Sequence, residues 1–167
     1  MAVCQDNRLT HPNPTCQHCS VLYCLAIRHL MLNPQDSEGA FRAAEKWAES
    51  LGDREVQGWL SLAEQNKDVG YSPSIGFVKY AFIHAFRHLQ NKISYIDAIF
   101  ETLSGGGDTD TNACIVGGLV GAYHGESGIP EPMREAILRC DTHKGRARPE
   151  FLQTRFQFPT LLDGLIG

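Results

Sequence analysis

The residues in this sequence best placed to do chemistry lie in Gly105-Gly106-Gly107-Asp108-Thr109-Asp110-Thr111-Asn112-Ala113. Two carboxylates stand two residues apart, each followed by a threonine, directly behind three glycines. Glycine admits φ > 0 and leaves room for a ligand to approach the backbone. Asp108, Asp110, Thr111 and Asn112 offer hard oxygens in a compact array, the donors that Mg²⁺ or Ca²⁺ takes. The apolar run 114–123 follows at once. A helix there would turn its free N–H groups and positive dipole end toward the same spot. Such an arrangement can hold a cation and an anionic substrate side by side.

Two better-known motifs are excluded. An EF-hand loop starting at Asp108 would need Gly at Ala113 and a bidentate Glu at Leu119. The Asp-x-Asp of phosphatases with a nucleophilic Asp ends a buried hydrophobic strand, whereas Ser104 and the three glycines precede it here. The plain alternative is a helix N-cap behind a glycine turn. A cap accounts for one carboxylate, not for two behind three glycines.

The stretch resembles the C-terminal signature of the ADP-ribosylglycohydrolase family, the dinitrogenase-reductase-activating type of ADP-ribosylhydrolase. That signature runs roughly Gly-Gly-Asp-Thr-Asp-Thr-Asn-Ala and on into a glycine-rich apolar helix. Residues 106–113 match it throughout, and Gly117, Gly118, Gly121 and Ala122 carry the helix. Leu9-Thr10-His11-Pro12-Asn13-Pro14, ahead of an apolar segment, is similar to the family's Thr-His-x-x-Pro entry into a mid-chain helix. Gly70-Tyr71 is a third, shorter match, and the resemblance spans about residues 9–128.

The resemblance implies an all-α, compact orthogonal multi-helix fold. The activity it implies is Mg²⁺-dependent hydrolysis of the glycosidic bond that links ADP-ribose to a protein side chain or a small molecule. Two Mg²⁺ ions would sit in the complete family site, orienting ribose hydroxyls and activating a water. On the matching positions, Asp108, Asp110 and Thr111 are metal ligands. Gly106 and Gly107 allow close approach of the substrate, His11 lies along the ADP-ribose, and Tyr71 is a stacking platform for adenine.

The family's N-terminal half carries a Gly-Asp-x-x-Gly-type segment and a Thr-Asp-Asp-Thr-type cluster, which supply the other metal ligands and the acid/base group. Neither occurs here, and no adjacent Asp-Asp pair exists in the 167 residues. The chain is therefore expected to be the C-terminal portion of such a hydrolase, with its general base outside these residues and little activity alone. Its unwrapped apolar surface would favour a homodimer or a complementing N-terminal chain. Two other readings stay open: a non-catalytic ADP-ribose- or nucleotide-binding module, and a structural, crystallin-like protein on the same scaffold.

The elements that must position these residues read as helix after helix. Helices are expected over 15–32, 38–50 with Ser37 as cap, 54–66, 74–89, 94–103, 109–123 and 131–139. The helix over 109–123 is apolar on every side, so it should be the buried, central one. Its glycines would cost about 1 kcal/mol each against Ala, tolerable where other helices pack close. No alternating β-branched run stands out. A single helical domain over 1–167 is expected, with a polar tail over 141–167 and a short turn at Leu161-Leu162.

Composition narrows the function further. A net charge of −4 gives no electrostatic reason to bind nucleic acid or a membrane surface. No apolar stretch approaches transmembrane length and 1–6 is not a signal peptide, so a cytoplasmic protein is expected. Cys16-x-x-Cys19 beside His18 invites a zinc reading, but no second Cys/His pair stands at finger spacing. Most of the cysteines are expected to be small buried apolar residues.

Overall fold

A computed structural model describes residues 2–71 and 74–139. Among these the secondary structure is helical throughout, with no strand, as the all-α expectation requires. The helices are α1 (Ala2–Asn7), α2 (Pro14–Leu32), α3 (Ser37–Leu51), α4 (Arg54–Glu64), α5 (Val78–Gln90), α6 (Tyr95–Ser104), α7 (Thr109–His124) and α8 (Glu131–Leu138). A 3₁₀ turn at Glu126–Gly128 follows α7. The chain divides into two compact units, Met1–Gly128 with α1 to α7 and Ile129–Gly167 with α8. The expected polar tail over 141–167, its turn at Leu161-Leu162, and Cys140 lie outside the described residues. No helix among the described residues is long and apolar enough to cross a membrane.

Local sequence sets most helix ends. Pro14 sits in the first turn of α2, where its missing N–H is no loss, and Asn13 caps it by accepting from the Thr15 N–H at 2.8 Å. Gly52, at φ 67, ends α3 in the left-handed region, and Asp53 caps α4 by accepting from Glu55 and Val56. The cap of α3 is Asp36 rather than Ser37: its carboxylate accepts from the Gly39 N–H, while Ser37 is buried in the first turn. The helix expected over 74–89 starts later, at Val78. Gly76 holds φ 76, which interrupts the apolar run, and Phe77 becomes the cap residue.

The centre of the first unit is α5. It packs against α2, α3, α4 and α7, and Ala81, Ile83, Ala85, Phe86 and Leu89 are almost wholly buried. Phe86 meets Phe41 of α3 edge-on at 5.9 Å and Phe82 at 4.8 Å. The expectation that α7 would be buried all round is met on one side only. Val116, Leu119 and Val120 are buried in a helix that packs on α5, α6 and α2, whereas Cys114 and Gly118 are exposed. Two of the glycines of α7, Gly117 and Gly118, do serve close packing. A Cβ at Gly117 would meet Ile99 Cδ1 at 3.0 Å and the Tyr95 hydroxyl at 3.2 Å. One at Gly118 would overlap the Tyr23 hydroxyl, which donates to the Ile115 carbonyl at 2.8 Å.

Gly58 provides the contrast. It lies exposed inside α4 with nothing within 4 Å of the place a Cβ would take. Gly58→Ala should stabilise the protein by roughly 0.5–1 kcal/mol, by restricting the unfolded chain and favouring helix. Urea denaturation reads the gain directly. A loss of stability would mean that residue 58 is not in a free helix interior.

Candidate functional site

The glycine loop joins α6 to α7. Gly105 closes α6 by donating its N–H to the Glu101 carbonyl at 2.9 Å. Gly106 and Gly107 then take φ 78 and 74 in succession, a reversal that residues with a Cβ rarely enter. Asp108 occupies the cap position of α7 and its carbonyl accepts from the Asn112 N–H at 2.9 Å, but its side chain makes no capping bond. The carboxylate a cap would have used is thus left for another partner.

Asp110 stands beside it. Hydrogen bonding between the two side chains is the first cause holding the Asp110 carboxyl below the usual carboxylate range, followed by the N–H groups of Thr111 and of Asp110 itself. The pair therefore converges at the N-terminus of α7, where the helix dipole also favours negative charge. Asp108 is half-buried, while Asp110 and Thr111 are exposed in the first turn. Gly76 comes alongside: a Cβ there would stand 3.7 Å from Asp108 Oδ2. Sequence reasoning missed Gly76, and its signal was a glycine inside an otherwise unbroken apolar run.

Two carboxylates within hydrogen-bonding reach of each other suit a hard cation, which can replace the proton between them. Among the described residues no group of three His, Cys, Asp or Glu side chains gathers around a common point. The donors at hand are the two carboxylates, with Thr111 exposed in the same first turn of α7. They fit one Mg²⁺ that keeps several waters, its ordinary habit.

The remaining predicted residues are placed differently. Tyr71 is only 5% exposed. Its ring stacks on His84 at 4.2 Å with 13° between planes, and its hydroxyl donates to Thr102 Oγ1 at 3.2 Å. The surface expected to take adenine is packed inside the protein in this conformation. At Gly107 the space of a Cβ is taken by Tyr71, whose carbonyl oxygen lies 2.9 Å and whose Cβ lies 3.2 Å from that point. Gly106 faces open space. His11 is exposed, with Nδ1 at 2.9 Å from Thr10 Oγ1, and no hydrogen bond among the described residues joins it to Asp108, Asp110 or Thr111.

The zinc reading finds no support among the described residues. His18 pairs with Asp53 at 2.7 Å, and burial pushes the Cys19 thiol far above its ordinary range. Cys24 and Cys114 are exposed rather than buried.

Comparison with known proteins bears on the whole of this region. The family model described as ADP-ribosylglycohydrolase matches residues 1–157. A protein of Acanthamoeba polyphaga mimivirus, provisionally named an ADP-ribosyl glycohydrolase, is 30% identical over 151 residues, covering 83% of this chain and 45% of its own. The chain thus spans less than half the length of that relative. No solved structure matches the chain.

Proposed function

Since this chain belongs to the ADP-ribosylglycohydrolase family, we propose that its glycine loop and the start of α7 form the metal-binding part of a site that hydrolyses a glycosidic bond to ADP-ribose. The place of Asp108 directly before α7, with its side chain making no capping bond, and of Asp110 in the first turn beside it carries this reading. Asp108, Asp110 and the Thr111 hydroxyl hold Mg²⁺. The ion, when bound, supplies a template for ribose hydroxyls and lowers the pKa of a bound water.

The chain's own residues do the rest of what this part can do. Gly106 leaves open space beside the pair for the ribose to come close. His11 is an exposed imidazole, free to lie along the ligand. The acid/base group is not among these residues. Catalysis in the complete protein draws on carboxylates that this sequence does not contain.

Titration calorimetry with ADP-ribose, with and without Mg²⁺, tests the reading. Binding should depend on Mg²⁺, and Asp110→Ala should weaken it at least about tenfold, near 1.4 kcal/mol. Equal affinity with and without the ion, or in the variant, would refute the site.

A further inference from the structure

The three glycines before the carboxylates do not serve one purpose. A Cβ at Gly105 would overlap ring carbons Cδ2 and Cε2 of Tyr71, and one at Gly107 would press on the Tyr71 carbonyl and Cβ. Gly106, between them, meets no described residue within 4 Å. Gly105 is therefore required by the Tyr71 ring, Gly107 by the Tyr71 main chain and Cβ as well as by its own φ of 74, and Gly106 by its φ of 78.

Tyr71 is itself held on two sides. Its hydroxyl bonds to Thr102 in the last turns of α6, and the Thr102 hydroxyl donates to the Ala98 carbonyl at 2.8 Å. Its ring lies flat on His84 of α5, the helix at the centre of the core. Nε2 of the same imidazole stands 3.2 Å from the Gly70 carbonyl, so His84 grips both the ring and the peptide before it. Both helices are thus tied through one buried aromatic to the loop that delivers Asp108.

We propose that Tyr71 is a positioning residue for the carboxylate pair: its ring and main chain form the floor on which the 105–107 loop is laid, and so fix where Asp108 and Asp110 stand. The proposal rests on the reading of that pair as cation ligands, but only for its effect on affinity. The ring reaches the loop through contact and the hydroxyl reaches only Thr102. The ring therefore carries the function, and the hydroxyl is secondary.

Amide hydrogen exchange and Mn²⁺ titration, with Mn²⁺ alone as the probe, test this on the full chain. Tyr71→Leu removes the flat ring. It should speed exchange at the hydrogen-bonded amides of Gly105 and Asn112 at least about tenfold, with amides of α2 unchanged. It should also weaken Mn²⁺ at least about tenfold, whereas Tyr71→Phe should stay within about threefold of the native chain. A leucine variant with native exchange, or a phenylalanine variant as weak as the leucine one, overturns the proposal. Should the leucine variant fail to fold, Gly106→Ala and Gly107→Ala decide. Their backbone strain is matched, at φ 78 and 74, but only the second meets Tyr71. Gly107→Ala should be the weaker Mn²⁺ binder by about tenfold or more, and equality overturns the proposal. The cation reading fails separately, if Asp110→Ala binds Mn²⁺ as the native chain does. The exchange rates then judge Tyr71 by themselves.

Discussion

Phe86→Ala should destabilise the protein by about 3–5 kcal/mol, the range for emptying a fully buried aromatic site. Phe86 has no exposed surface, and two rings lean on it: Phe41 edge-on at 5.9 Å and Phe82 at 4.8 Å. Collapse of the hole would require α3 to move toward α5, and α3 also packs against α2 and α4. Partial relaxation is therefore the most the site can achieve, which keeps the cost high. Thermal and urea unfolding measure it, provided the transition is two-state. The Phe41→Ala, Phe86→Ala cycle should give a coupling of about 0.5–1.5 kcal/mol for the edge-on pair. A single-variant cost under about 1.5 kcal/mol would mean that α3 and α5 do not share this core.

The same core explains which parts of the site could be read from the sequence. Two carboxylates behind consecutive glycines at a helix start are a local arrangement, set by residues adjacent in the chain. Gly106 and Gly107 indeed take positive φ, and Asp108 is indeed the residue before α7. Tyr71 was different. An aromatic after a glycine reads alike whether its face awaits a ligand or packs on the protein. What separates the two uses is His84, thirteen residues on, and the Gly105 backbone, thirty-four residues on. No spacing rule carries that information.

The helices show the same division. Elements with a local start or stop, such as Asn13 with Pro14 or Gly52 with Asp53, end where the sequence says they should. The choice of Asp36 over Ser37 as cap was not legible, since both residue types cap well. Hydropathy misled for α7. Cys114 and Gly118 count as apolar or neutral in a periodicity argument, yet both are small enough to lie exposed on a face with little side chain to bury. For α5 the apolar spacing read correctly, and what it did not show is that both of its histidines are buried with the rest. Burial of those histidines has a cost that depends on pH.

His88→Leu should make the protein markedly less sensitive to acid. His88 is 1% exposed, and neither ring nitrogen has a hydrogen-bond partner among the described residues. Glu101 Oε2 is 3.7 Å from Nε2, but Arg87 holds that oxygen at 2.7 Å. Burial first, then the charge of Arg87 and the neighbouring His84, push the His88 pKa down from 6.5 to about 4, against a small opposing pull from Asp68. The unfolded chain takes up a proton near pH 6.5, whereas the folded chain resists it down to about 4. Within that window the unfolded state binds more protons, so folding free energy falls as pH falls. The slope is at most about 1.4 kcal/mol per pH unit, roughly 3 kcal/mol across the window. Burial lowers the His84 pKa as well, so that residue adds to the slope with the same sign. Leucine removes the His88 contribution and leaves that of His84. At pH 7 the variant should be as stable as the native chain or more so, because two unpartnered buried nitrogens disappear with the ring. Urea denaturation at intervals from pH 7 to 4 measures both effects. Equal slopes in the two proteins would show that His88 takes up its proton as readily folded as unfolded, and therefore that water reaches it.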